Sequence, residues 1–230
     1  METASAVATE AFRFYECILM VRPLGIKALN LREFLFALKN VDGDCIHHHF
    51  HQSYLKHQFD IADYPNDFAQ WAALQLEDAA LGEKLGNLNP YHFEGLEALK
   101  ENLAETVEDH LFDAPFIPSA KPGMEFHFCT DTLLVSDTGK EARTLAQFRQ
   151  ALEHVDNSCI YYHFYESRFR LPGIHSDDFS NFFEKALNLR DLAQAVRSME
   201  IYFTSLKEVR AGLVDLVDAE LKRQPKEVVP

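Results

Sequence analysis

Cys45-Ile-His-His-His-Phe-His-Gln-Ser53 and Cys159-Ile-Tyr-Tyr-His-Phe-Tyr-Glu-Ser167 are one pattern written twice, 114 residues apart. Working back from each copy without gaps, Leu31, Phe34, Ala37, Leu38, Val41 and Asp42 recur as Leu145, Phe148, Ala151, Leu152, Val155 and Asp156. Eleven of the 23 positions in 31–53 are identical. Chance does not give this in an ungapped comparison, so the sequence reads as an internal duplication. The predicted class is α+β, predominantly helical. Two tandem homologous repeats are expected, each a short strand or hairpin followed by about four to five helices. The repeats fall at 11–112 and 124–222, with a proline-rich linker over 113–123 and a flexible tail over 223–230.

Both copies read as a helix, starting near Asp44 and near Ser158. Helical spacing puts Ile46, His49, Phe50, Ser53, Tyr54 and His57 on one face, and Ile160, His163, Phe164 and Ser167 on its counterpart. His49 and His163 are the histidine that both copies keep. His47, His48 and His51 become Tyr161, Tyr162 and Tyr165. Upstream, Asn30 with Glu33 and Thr144 with Gln147 have the spacing of a capping box, in which side chain and backbone satisfy each other's orphan groups. Before these, Phe12 and Phe14 alternate as in a strand, and so do Phe126 and Phe128. Pro23 with Gly25, and Asp137 with Gly139, suggest turns. Downstream, after a loop with Pro65 or Gly173, Asn66-Asp67-Phe68 and Trp71 meet Asp177-Asp178-Phe179 and Phe182, each reading as a capped helix. A helix from about Leu96 and another from Leu206 close the repeats.

Composition narrows the function. Hydrophobic residues make up 47% and charged residues 25%, values of a globular protein with a real core. The net charge of −14 argues against nucleic acid and against anionic membrane surfaces, both of which need basic surface. No apolar run approaches the roughly 20 residues that span a bilayer. The Met-Glu-Thr-Ala-Ser start lacks a basic n-region and an apolar h-region, and the four cysteines form no Cys-x-x-Cys pair. The expected location is the cytoplasm.

The recurring elements also resemble a domain family of unknown function, DUF5752. They are the Phe-x-Phe strand (Phe12/Phe14), Gly25 and Ala28 before a capped helix, Val41, the run Cys45-Ile46-His47-His48-His49, and Asn66-Asp67-Phe68 with Trp71. The second copy departs by Asp177 for Asn66, Phe182 for Trp71 and a shorter loop. The resemblance covers nearly the whole chain and implies no established activity. It does imply an accessory module of cytoplasmic prokaryotic proteins, with carbohydrate-metabolism proteins, glycosyltransferases among them, as possible partners.

Three chemistries compete. His47 and His51, at i and i+4, have a spacing that can put two imidazoles on one divalent metal, with Asp60, Asp63 or Asp67 as acidic partners. No His-Glu-x-x-His or Glu-x-x-His motif supports such a site, the second copy lacks both histidines, and no cofactor is expected. His49 with Asp67, and His163 with Asp178, are either core histidines beside helix-capping carboxylates or His–Asp pairs lining a pocket between the halves. Tyr161, Tyr162 and Tyr165 read as an aromatic recognition surface. The leading expectation is a non-enzymatic binding or regulatory module that docks a protein partner or a small ligand, or self-associates, through a His- and aromatic-lined surface. The alternatives are a metal-dependent or acid–base enzyme with a His/Asp site in the first repeat, and a structural subunit of a larger assembly.

Overall fold

The computed structural model describes residues 7–56, 64–170 and 177–223. His57, Asp60, Asp63, Gly173 and residues 224–230 lie outside the described residues, as do the side chains of Ser53 and Tyr54. The class is α+β and mainly helical. Strand β1 (Phe12–Ala28) precedes helices α1 (Leu31–Asn40), α2 (Gly43–Lys56), α3 (Asp67–Leu74), α4 (Ala79–Gly86) and α5 (Leu96–Asp113). Strand β2 (Phe126–Ala142) then precedes α6 (Leu145–His154), α7 over 157–170, α8 over 178–186, α9 (Arg190–Arg197) and α10 (Leu206–Arg223). α7 widens into a π-helical stretch at Tyr161–Glu166, and α8 does so at Phe182–Ala186.

The opening element is one long strand and not a hairpin. β1 and β2 form a two-stranded sheet, and partners such as Glu16 with Ser136 and Lys27 with Glu125 run in opposite senses. Both strands are therefore edges, where Pro23 can stand because its missing N–H need not join a ladder. The expected turn glycines stay inside the strands, at φ +74° for Gly25 and +70° for Gly139, a backbone conformation that glycine adopts without strain.

The chain forms two compact units whose boundaries fall within these strands. Leu19–Leu133 is the inner unit by sequence order; Met1–Ile18 with Leu134–Pro230 is the outer one. Neither boundary falls at the proline-rich segment. That segment is anchored in the inner unit: the Leu31 N–H donates to Pro118 O, the Ala120 N–H donates to Leu29 O, and Asn30 and Ser119 form an antiparallel bridge.

Local signals set the helix starts. Asn30 accepts from the Glu33 N–H at 3.0 Å while Glu33 accepts from the Leu29 N–H at 2.8 Å. Thr144 and Gln147 repeat this at 3.2 and 2.8 Å. Both capping boxes close. The helix with the central pattern starts slightly earlier than expected, at Gly43, and at Asn157 with Asp156 as its cap, because the Asp156 carboxylate reaches the Ser158 N–H. α4 lies so close on α3 that a Cβ at Gly82 would stand 2.7 Å from the Ala73 Cβ.

Each core is an aromatic cluster built on the strand. In the outer unit Phe12 lies 4.9 Å from both Phe14 and the His163 ring, and Phe14 is 5.3 Å from Phe148. In the inner unit Phe126 lies 4.8 Å from Phe128 and 4.7 Å from the His49 ring, and Phe34 is 5.6 Å from Phe128. Trp71 stacks on Phe34 as Phe182 stacks on Phe148. Two of the expected recognition tyrosines are core residues instead. Tyr161 and Tyr165 are buried, and the Tyr165 hydroxyl is satisfied by donating to Ile201 O and Thr204 O.

Candidate functional site

The repeated histidine is held the same way in both units. His49 Nδ1 lies 2.9 Å from Asp67 Oδ2, and its Nε2 accepts the Cys129 N–H at 2.9 Å. His163 Nδ1 lies 2.9 Å from Asp178 Oδ2, and its Nε2 accepts the Tyr15 N–H at 2.8 Å. Because Nε2 accepts a backbone N–H, it carries the lone pair. Nδ1 therefore carries the hydrogen and donates to the carboxylate. A protonated ring would set a second donor against the backbone N–H. The arrangement is a clamp joining helix, carboxylate and strand, and both ring nitrogens are committed to it.

The carboxylates are freed for this task by their neighbours. Asn66 caps α3 by accepting from the Ala69 N–H, and Asp177 caps α8 by accepting from the Ser180 N–H. Asp67 and Asp178 are thus not the caps. In the outer unit Ser167 adds support: its hydroxyl donates to His163 O at 2.6 Å and accepts from the Asp178 N–H at 3.4 Å. Burial raises the Asp177 carboxyl above the usual range, with Arg168 at 3.4 Å opposing that shift.

Beside each clamp lies an open groove lined within a single unit. The inner groove, about 650 Å³, is bordered by His48, His49, Asp67, Gln70, Trp71 and Phe126. The outer one, about 750 Å³, is bordered at equivalent positions by Tyr162, His163, Asp178, Asn181, Phe182 and Phe12, with Arg13, Arg143 and Lys185 at its edge. Tyr162, half-buried, is the one expected recognition tyrosine that reaches a groove.

The remaining histidines are asymmetric. His48 Nδ1 bonds Asp131 Oδ2, while its buried Nε2 has no hydrogen-bond partner among the described residues. The corresponding positions are Tyr162 and Cys17, so this pair exists in the inner unit alone. His47 and His51, the expected metal pair, stack with ring centroids 4.5 Å apart and planes 19° apart. His51 Nδ1 donates to His47 O at 2.9 Å. Stacked rings direct their nitrogens alongside one another and do not converge them on a point. Among the described residues no group of three His, Cys, Asp or Glu side chains could hold a metal ion. None of the four cysteines is in a disulfide; burial pushes the Cys45 thiol up to about 12 and the Cys159 thiol up to about 11. Such thiols are unreactive at neutral pH.

His51 makes the inner unit acid-sensitive. Burial, then the neighbouring His47, holds its imidazole well below the usual histidine range. The unfolded chain therefore binds a proton that the folded unit refuses. No cost arises above the unfolded value of about 6.5; stability falls as pH drops below it, by up to about 1.4 kcal/mol per pH unit for one proton. Urea unfolding followed by Trp71 emission at about pH 7.5 and about pH 5.5 will show the loss, and His51→Phe should reduce it. The outer unit has Tyr165 there, neutral across that range because burial raises its phenol.

Sequence spacing pointed to His49, His163, Asp67 and Asp178, which the structure brings together in pairs. It missed Asp131 and the Cys129 and Tyr15 amides, which lie 80 or more residues away in sequence.

The sequence matches one family model, the family of unknown function DUF5752, over residues 9–218. The chain belongs to that family. No curated protein matches it. Among solved structures, OrfY from Thermoproteus tenax is similar, with 22% identity, a TM-score of 0.76 and coverage of 93% of this chain and 97% of that one. The likeness shows the fold. No helix among the described residues is long and apolar enough to cross a membrane.

Proposed function

We propose that the protein is a non-catalytic cytoplasmic binding module, made of two tandem homologous repeats, that holds a small polar ligand or a segment of a protein partner in the grooves beside its clamps. One observation carries this reading: the histidine common to both units spends both ring nitrogens on structure. A general base or a metal ligand needs one of them exposed to a substrate. What each unit presents next to the clamp is an open, mixed aromatic and polar groove, a surface suited to recognition. The 114-residue sequence offset and the matching clamps support descent of the two halves from one ancestor.

Two measurements test the reading together. In ¹⁵N–¹H spectra of the imidazoles at neutral pH, His49 and His163 are expected as Nδ1–H tautomers; an Nε2–H tautomer or an imidazolium would defeat the clamp. Trp71 is the single tryptophan and borders the inner groove, so its emission reports occupancy when sugars, sugar phosphates and peptides are titrated in. Turnover of any of these without stable binding would favour an enzyme.

A second reading has one observation in its favour. His48 with Asp131 is a His–Asp pair whose Nε2 is uncommitted among the described residues, as an acid–base catalyst requires. The His48 side chain is 0% exposed, however, so proton transfer there requires the ring to move. His48→Gln should abolish turnover if the protein is an enzyme, whereas a binding module shows no turnover with or without the substitution.

A further inference from the structure

The inner unit carries an apolar face that its own fold does not use. Phe36 on α1, Phe112 at the end of α5 and Phe116 just beyond are 73%, 91% and 73% exposed. All three lie on the α1–α5 pair or just past its end. α1 and α5 pack antiparallel, since the start of α1 bonds to Pro118 while Lys39, near its end, pairs with Glu108 at 2.7 Å. One turn back along α1 from Lys39 is Phe36; one turn on from Glu108 is Phe112. Phe36 and Phe112 therefore sit on adjoining turns of the two helices, with Phe116 following towards the start of α1. Next to Phe116 opens a groove of about 450 Å³, walled by Leu76, Pro118 and Asp113 and floored by the His110–Asp78 pair. Lys84 is a cation at its edge.

The matching face of the outer unit shows that the helix pair does not need these rings. Gln150 stands where Phe36 does, and Lys222, by the register of the two 18-residue helices, where Phe112 does. That face is closed by Arg149, which forks onto Asp218 at 2.7 and 3.1 Å and pairs with Glu153 at 2.7 Å. On the inner unit, by contrast, Glu105, Asp109 and Asp113 are exposed around the phenylalanines and make no ion pair among the described residues. Exposed aromatic rings beside three carboxylates without ion pairs among the described residues, which outnumber the exposed Arg32 one turn back on α1 from Phe36, are the complement of an apolar stripe flanked by lysine and arginine.

We propose that the α1–α5 face of the inner unit is a docking surface for a basic amphipathic segment of a protein partner. The phenylalanines receive its apolar stripe and the three carboxylates its cations. A second copy of this chain is a poor occupant, because it would bring a net charge of −14 and the same carboxylates against the same rim.

The test uses the full chain and a fluorescein-labelled helical peptide of about 18 residues, leucine on one face and lysine on the other. Saturable one-to-one binding is expected by anisotropy, weakening as salt rises. Phe36→Gln/Phe112→Gln should weaken it at least about tenfold, since anchoring aromatic rings dominate such interfaces. Both side chains are exposed, so circular dichroism and melting should be unchanged. Glu105→Gln/Asp109→Asn/Asp113→Asn should flatten the salt dependence. Equal binding of a scrambled peptide of the same composition, or no effect of the phenylalanine variant, would reduce the face to bulk charge and overturn the proposal. So would a sedimenting dimer that the phenylalanine variant disperses, which would make the occupant a second copy.

Discussion

Replacing His163 with alanine is expected to lower the unfolding free energy by about 3–5 kcal/mol. The variant loses the bond from Nδ1–H to Asp178 and the bond from the Tyr15 N–H to Nε2, neither of which alanine can make. It also removes a ring that touches Phe12 at 4.9 Å and Phe179 at 5.6 Å, so a cavity adds to the lost hydrogen bonds. His49→Ala should behave alike in the inner unit, through Asp67 and the Cys129 amide. Asp178→Asn is the graded control. An asparagine oxygen still accepts from Nδ1–H, so only the charge assistance goes, at a cost of about 1 kcal/mol. Chemical denaturation of the three variants checks this order. An Asp178→Asn loss as large as that of His163→Ala would show that the ring is held chiefly by charge and not by its tautomer.

Phe14→Ala should cost a similar 3–5 kcal/mol for a different reason, the cavity alone. Phe14 is fully buried and touches Phe12, Phe148 and Phe179, with no polar group to satisfy. Phe128→Ala is its counterpart among Phe34, Phe126 and the His49 ring. Phe36→Ala, by contrast, should change stability by no more than about 0.5 kcal/mol, because that ring is already in water. Comparing melting midpoints of Phe14→Ala and Phe36→Ala separates phenylalanines that build the core from those that face outward. A large loss from Phe36→Ala would mean that the exposed ring supports α1, against the docking proposal.

What could be read from the sequence was what is local. The capping boxes at Asn30 and Thr144 rest on groups three residues apart, and both close as spacing indicates. Ile46, His49 and Phe50 on α2 are buried as helical periodicity indicates, but so are His48 and His51, off that face, because other elements cover the helix there. The strands were not. Pro23 and Gly25 carry turn chemistry in most contexts, and only the two-stranded sheet, with both strands as edges, lets a strand run through them. Tyr161 and Tyr165 misled for a related reason: a tyrosine suits a surface or a core, and the difference is whether a carbonyl awaits its hydroxyl. Asp131, on β2, meets His48 across 83 residues of chain, a separation that spacing does not resolve.

The placement of unit boundaries inside the strands bears on how the protein is made. On a ribosome adding about 5–20 residues per second, the inner unit is complete once Leu133 has emerged. Residues 12–18 are made before every helix of their own unit and wait until α6 to α10 have followed. For those seconds Phe12 and Phe14 are bare, and nascent-chain chaperones have reason to attend this end of the polypeptide. A gene cut at the proline-rich segment would part Phe126 and Phe128 from the inner unit's helices and Phe12 and Phe14 from the outer unit's, whereas a piece beginning at Leu19 and ending at Leu133 would keep the inner unit whole.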